Sequence, residues 1–305
     1  MLNIIGHRKI WYLISAILII PGIVALSLWG LNFGIDFKGG TLVEYQFSQS
    51  VSSDEVKNSL NDLNFSNLTV TLTGTDTILI RMGIIDQEQH SKLQDTIDKV
   101  GENTEIRFES VGPTVSSDIS RKAVIAVIVA SIAIILYISF VFRKVPKPAS
   151  SWRFGVCAVL ALIHDLIFVI GLFAILGHFL GYEIDPLFIT ALLTIMGFSV
   201  HDTIVVFDRI RENLRKSPSK KFEENVNNSI IQTLNRSLNT SLTVLIVLAA
   251  LYFLGGQTLH HFVLALLIGI AIGTYSSIFN ASPLLVTWQG WSARHMNRAQ
   301  QKNAS

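Results

Sequence analysis

Six stretches of this chain, over 10–31, 123–142, 154–180, 186–207, 230–254 and 262–288, are each long and apolar enough to cross a lipid bilayer, and this constrains the fold more than any other feature. A span needs about 20 apolar residues. Hydrocarbon offers backbone amides and carbonyls no partner, so runs of this length and continuity must satisfy them internally as helices. Half of the 305 residues are apolar and only 15% are charged, as lipid solvation requires. The first run follows His7, Arg8 and Lys9. It exceeds the apolar core of about 7–15 residues in a cleaved signal and no A-x-A site follows, so it is expected to stay as an anchor.

Lys and Arg orient the bundle. Arg143, Lys144, Lys147 and Arg153 separate spans two and three, and Arg209, Arg211, Arg215, Lys216, Lys220 and Lys221 separate spans four and five, whereas loops 181–185 and 255–261 have neither residue. The basic loops belong in the cytoplasm. Both termini are then cytoplasmic, in agreement with Arg294, Arg298 and Lys302 of the tail. The net charge of +2 calls for no nucleic-acid partner, since topology accounts for the basic residues.

The orientation places the polar insert 32–120 outside the cytoplasm. Thr41 to Phe47 alternates as a strand does, 54–63 has helical spacing, 68–72 alternates again, and Gly74 to Asp76 turns the chain into a strand at 78–81. A second helix at 87–100 and a strand at 105–108 complete a βαββαβ order, which points to a small α+β ferredoxin-like domain. The only cysteine, Cys157, lies in span three, so this domain has no disulfide. The expected organisation is a first transmembrane helix over 1–31, an extracytoplasmic domain over 32–120, a five-helix transmembrane region over 121–288 and a cytoplasmic tail over 289–305. The linking passages 34–40 and 111–120 both contain glycine, and each can hinge locally.

Ionisable residues interrupt the apolar runs, foremost Asp202 in span four and Arg236 in span five. A charge at mid-bilayer costs about 2.5–3.5 kcal/mol on insertion scales, so such residues pair with each other or line an ion pathway. Span four runs inward and span five outward, which sets the two at matching depth. Arg236, Thr240 and Thr243 share one helix face with Asn239 beside them, a polar seam suited to a proton relay. If both spans are shifted by one turn, the pair instead reaches the headgroups, where Arg snorkels and Asp is solvated. Thr240 alone can equally be a helix-packing hydroxyl. Asp165, after His164 in span three, is a second acid at membrane depth, either a relay member or a hydrogen-bonding residue between helices. His164 and His201 are expected as packed neutral imidazoles, with proton relay as the alternative, and His260 and His261 as solvated. Adjacent histidines lack the i, i+4 spacing of a helical metal site, and Gly39-Gly40 has no phosphate-loop context, so neither metal nor cofactor is expected. Gly269 and Gly273 are read as helix-packing residues.

Gly34-Ile-Asp-Phe-Lys-Gly-Gly40 after span one, Val111-Gly-Pro113 before span two, the string from Gly197 to Asn213, Asn235 to Ser241 in span five and Ile268 to Ser277 in span six together resemble the SecF family of bacterial protein-export membrane subunits. The resemblance implies a six-span subunit of the bacterial inner membrane, one half of a resistance-nodulation-division fold. It would be paired with SecD and assist the SecYEG translocon in preprotein export by using the proton gradient, with YajC as a further candidate partner. It puts the in-membrane acid on Asp202 and its basic partner on Arg236, with Thr240 a turn beyond and another carboxylate supplied by SecD. It also implies that Gly34, Asp36, Phe37, Gly39 and Gly40 join the outer domain to the bundle. The rival reading is a proton-coupled small-molecule transporter half, although loop 181–185 is too short to bind a drug. Catalysis is not expected: no G-x-G-D motif accompanies the acids, and Ser199, Val200 and His201 show no nucleophile-base geometry.

Overall fold

The computed structural model describes residues 2–73, 76–143, 150–217, 219–256 and 259–292. Gly74 of the expected turn, Lys144 and Lys147 of the loop, and Arg294, Arg298 and Lys302 of the tail lie outside these residues. Two compact units are present: Phe33–Ile125 forms one, and the residues before and after it form the other.

In the smaller unit a short helix α2 (Ile35–Lys38) leads into β1 (Gly40–Phe47), followed by α3 (Ser53–Leu60), β2 (Thr69–Thr73), β3 (Thr77–Met82), α4 (Gln87–Val100) and β4 (Asn103–Val111). The strands form one antiparallel sheet in the order β2-β3-β1-β4, with the expected βαββαβ connectivity. Alternation along β1 and β3 sends Val43, Tyr45, Phe47, Ile78, Ile80 and Met82 into one core with Val56 and Leu60 of α3 and Leu93 and Ile97 of α4. Asp86 and Gln89 close a capping box that sets the start of α4. β4 extends beyond the expected 105–108 because Val111 pairs with Gly40, while Arg107 Nε donates to Glu109 Oε1 (2.7 Å) two residues along the same face.

The larger unit contains α1 (Arg8–Trp29), the membrane part of α5 (Pro113–Val141), α6 (Ser151–Leu180), α7 (Pro186–Lys216), α8 (Phe222–Leu254) and α9 (His260–Ser276), which continues through a π-helical turn Ser277–Ala281. Among the described residues, six helices are thus long and apolar enough to cross a membrane. The two helices α7 and α8 pass the ends of their apolar runs. α7 runs to Lys216 on Arg209–Glu212 and Lys216–Glu212 ion pairs (each 2.6 Å) and an Arg211–Asp208 pair, and α8 begins at Phe222 with Glu223 and Glu224 in its first turn. Asp185 caps α7 by accepting from Phe188 N (2.7 Å), and Pro186 occupies the first turn.

α6, α7 and α9 are the interior helices: 61% of the apolar window of α9 is buried, against 6% for α5. Gly22 of α1 faces Gly171 of α6 so closely that a Cβ on Gly22 would stand 2.9 Å from Gly171 Cα, a backbone contact that only glycine permits. Phe142, Phe154 and Phe207 close the core of this unit, with ring centroids 5.0–5.7 Å apart. The two acids of the spans, Asp165 and Asp202, are therefore carried by two of the three most enclosed helices, α6 and α7.

Candidate functional site

Asp202, on the buried face of α7, is 2% exposed. Its Oδ2 accepts from Ser241 Oγ of α8 (3.3 Å) and Thr274 Oγ1 of α9 (3.2 Å). Those hydroxyls lie 2.6 Å from each other, and each also reaches a carbonyl of its own helix, Ser237 O (2.9 Å) and Ile270 O (3.0 Å). Two hydroxyl protons thus serve the Asp202 carboxylate, two carbonyls and each other, so the set is short of donors. The hydroxyl of Ser237, one turn before Ser241, is buried without a hydrogen-bond partner.

Asp165, at the middle of α6, is fully buried. Ser199 Oγ of α7 (2.6 Å) and Ser276 Oγ of α9 (2.7 Å) donate to its Oδ2, and His164 Nδ1 lies 2.9 Å from Oδ1. Gly273 leaves the space for this meeting, since a Cβ there would stand 3.1 Å from Ser199 Cβ and 3.6 Å from Asp165 Oδ2. The two acids are joined through α7 and α9: Thr203, next to Asp202, shares a hydrogen bond with Ser277 (2.8 Å), and Ser277 donates to Ser199 O (3.2 Å).

The expected pairing of Asp202 with Arg236 is not formed. Arg236, Asn239, Thr240 and Thr243 are exposed, Arg236 and Thr240 on the stripe of α8 beside buried Ser237 and Ser241, of which Ser241 bonds the acid. Arg236 makes no ion pair among the described residues, and Thr243 Oγ1 donates to Thr240 O of its own helix (2.7 Å). The α8 residue at the level of Asp202 is Ser241, five residues beyond Arg236 and about 7.5 Å further along the helix axis, so the count of depth from the ends of the apolar runs does not hold. His164 is packed as expected. His201 is not: its side chain is 60% exposed, with Nδ1 4.0 Å from Asp202 Oδ1. The pair expected in solvent is packed instead, His260 bonded to Tyr252 O (2.6 Å) and His261 stacked on Tyr182.

The glycine motif lies wholly in the smaller unit. Gly34 precedes α2, Phe37 packs edge-on against Phe33, and Gly39 and Gly40 take φ of 77° and 130°, which L side chains rarely adopt. Gly40 pairs with Val111, Ser120 Oγ donates to Phe37 O (3.3 Å), and Gly39 lies against Ser116 and Val111. Asp36 and Glu44 add to the negative field around Arg107, whose pKa is raised chiefly by its hydrogen bond to Glu109. The two linking passages, read from sequence as separate hinges, are fastened to one another.

Ser241, Thr274, Ser276 and Asn280 escaped the reading of the sequence for chemistry, and Ser199, weighed there only as a nucleophile, is a hydrogen-bond donor to Asp165. The available signal was the density of hydroxyls at Thr274, Ser276 and Ser277 in an otherwise apolar span.

Residues 91–291 match the family model described as protein export membrane protein SecD/SecF, C-terminal, and residues 30–51 match the SecD/SecF GG motif. The chain is 47% identical over 302 residues to protein translocase subunit SecF of Thermobaculum terrenum, covering 95% of this chain and 94% of that one. It is 44% identical over 316 residues to the SecF subunit of Anaerolinea thermophila, covering both in full. The crystal structure of SecDF, a translocon-associated membrane protein from Thermus thermophilus, superposes with a TM-score of 0.84 at 35% identity over 95% of this chain. The match spans 39% of that longer chain. With family models on both the glycine motif and the helical bundle, and near full-length relatives that are translocase subunits rather than small-molecule transporters, this chain belongs to the SecF family of protein-export membrane proteins.

Proposed function

We propose that this subunit works with SecD at the SecYEG translocon, with YajC as a further partner, and uses the proton gradient to drive preprotein export, with Asp202 carrying the proton. The observation behind this reading is the arrangement around α8. Ser237 and Ser241 face Asp202, while Arg236 and Thr240, each one residue earlier, form the neighbouring stripe on the exposed side. Successive residues on a helix are about 100° apart. Turning α8 by one residue step exchanges the hydroxyl pair for the Arg236 and Thr240 pair at the acid.

Charge selects between the two positions. A protonated Asp202 is served by hydroxyls and supplies the donor that they lack. An ionised Asp202 in a low-dielectric interior favours the guanidinium, which bonds a carboxylate through a planar fork. Arg236 on an exposed face at membrane depth also requires an acidic partner, which SecD would supply at that position. A proton crossing 100 mV releases about 2.3 kcal/mol, enough to bias a two-state movement by tens of fold. In this reading the basic loops and both termini are cytoplasmic and the smaller unit is extracytoplasmic, where it meets the emerging polypeptide.

Asp202→Asn keeps the shape of the side chain and removes its ability to cycle charge. In membrane vesicles with an imposed gradient, it should abolish the gradient-dependent part of export while the chain stays inserted and co-purifies with SecD. Undiminished stimulation by the gradient would overturn the reading. The orientation is checked separately, since a reporter fused after Lys216 should be cytoplasmic and one after Leu72 outside.

A further inference from the structure

The Asp165 cluster has a branch that the Asp202 switch does not use. His164 Nε2 lies 3.0 Å from Asn280 Nδ2, in the π-helical turn of α9. On the other side of the same amide, Ser15 Oγ of α1 donates to Asn280 Oδ1 (2.9 Å). Ser15 is 3.3 Å from Tyr275 OH, which donates to Trp11 O (3.0 Å). A chain of polar groups therefore runs from Asp165 on α6 through α9 to the backbone of α1. The other titratable side chains in the apolar runs of α1, α6, α7 and α9 are Tyr12, Cys157, His178, His201, Asp202 and Tyr275, with no Lys or Arg among them.

The donors in this chain fix its present proton arrangement. Asn280 Nδ2 can only donate, so His164 Nε2 accepts, and the imidazole carries its single proton on Nδ1, aimed at Asp165 Oδ1. Ser15 gives its one proton to Asn280 and Tyr275 gives its own to Trp11 O. The Ser15 and Tyr275 oxygens then face each other at 3.3 Å with no proton between them. Every link is filled except that one.

We infer that His164 and Asp165 form a second proton-binding site, with Asn280 as the positioning residue whose amide turns over when the proton is taken up. The incoming proton binds His164 Nε2, giving an imidazolium beside the Asp165 carboxylate and changing the charge of the pair from −1 to zero. Nε2 now donates, so Asn280 presents Oδ1 to it and Nδ2 to Ser15. Ser15, relieved of donating to Asn280, turns its hydroxyl to Tyr275 and fills the empty link. One proton is bound, no other bond to hydrogen is broken, and one more hydrogen bond is made than before. Because the amide lies in α9 and the chain ends on α1, the change alters how those helices are joined to α6.

The test is nitrogen-15 NMR of histidine-labelled SecD–SecF complex in lipid bilayers, with His164→Gln identifying the His164 signals. His164 should show the neutral Nδ1–H form at alkaline pH and become doubly protonated on acidification. Asn280→Leu removes the amide at similar volume and should displace the midpoint by about tenfold in proton concentration, a change of one unit. Ser15→Ala, which removes the α1 hydroxyl bonded to Asn280 and leaves the amide in place, should displace it in the same sense by less. Co-purification with SecD confirms that each variant is assembled. His164 fixed in one form across the pH range, or a titration unmoved in both variants, would overturn the inference. Asp202→Asn should leave the His164 titration in place, so failure of the Asp202 switch and failure of this second site are read separately.

Discussion

Thr274 on α9 and Asp202 on α7 stand 3.2 Å apart, hydroxyl to carboxylate, and two residues further along α9 Ser276 reaches Asp165 at 2.7 Å. One short stretch of α9 thus contacts both buried acids just before it enters the π-helical turn Ser277–Ala281. π-helical turns are concentrated at functional sites because the local backbone can shift register there.

Thr274→Val isolates that contact, because valine keeps the volume and loses the hydroxyl. A hydrogen bond to a charged group contributes about 1.5–3 kcal/mol, so the ionised form of Asp202 loses support on that scale. Gradient-stimulated export in membrane vesicles should fall at least tenfold, with insertion unchanged, and Thr274→Ser should restore most of it. A valine variant with normal stimulation would show that the α9 hydroxyl is not used.

Gly40 and Gly112 give opposite expectations. Gly40 has φ of 130°, and a Cβ there would stand 2.7 Å from Met82 O, whereas a Cβ on Gly112 meets nothing within 4 Å. Gly40→Ala should destabilise the start of β1 by more than about 1 kcal/mol and free the passage fastened to Val111. Limited proteolysis of the full chain should then cut region 33–125 faster in Gly40→Ala, with Gly112→Ala cut at the rate of the unaltered chain. Equal protection of both variants would contradict the strain at Gly40.

Tyr45 supplies a pH dependence. Burial pushes its phenol well above the ordinary value of 10.0, with the neighbouring Glu105 carboxylate adding to the rise. The folded unit therefore holds this proton where the unfolded chain has released it. The contribution is fully present below about pH 10 and is lost as pH rises toward the folded value. Tyr45→Phe removes the alkaline slope together with the 3.1 Å hydrogen bond to Glu105 Oε2. Thermal unfolding followed from pH 8 to pH 11, about the span that brackets the ordinary phenol pKa, should show a steeper loss for the tyrosine form; parallel curves would refute the assignment.

Much of the fold was legible because apolarity and periodicity have direct physical meaning. The six spans follow from unbroken apolar runs, and α4 was placed at 87–100 because its core-facing residues keep helical spacing up to a sharp cap. The end of α7 was not legible, since apolarity stops where the bilayer does while the helix continues to Lys216 on charged pairs. Asp165 and Asp202 stood out as acids in apolar runs. Their partners did not, because a serine in a span commonly bonds its own helix, as Ser241 also does through Ser237 O. Depth counted from the ends of the apolar runs did not hold, and the direction in which Arg236 points depends on how α8 is turned against its neighbours.

That turn gives the most exacting test. Ser237 and Ser241 form one i, i+4 pair and Arg236 and Thr240 the next, and only the first pair faces Asp202 here. If both stripes are used, the exposed cation must engage the acid with two parallel hydrogen bonds in the other state. Lysine keeps the charge but offers no planar fork. Arg236→Lys should therefore retain complex formation and export while losing part of the gradient-dependent rate, whereas Arg236→Leu should lose all of it. A leucine variant that exports normally under a full gradient would leave Asp202 with its hydroxyls alone and remove the rotation of α8 from the cycle.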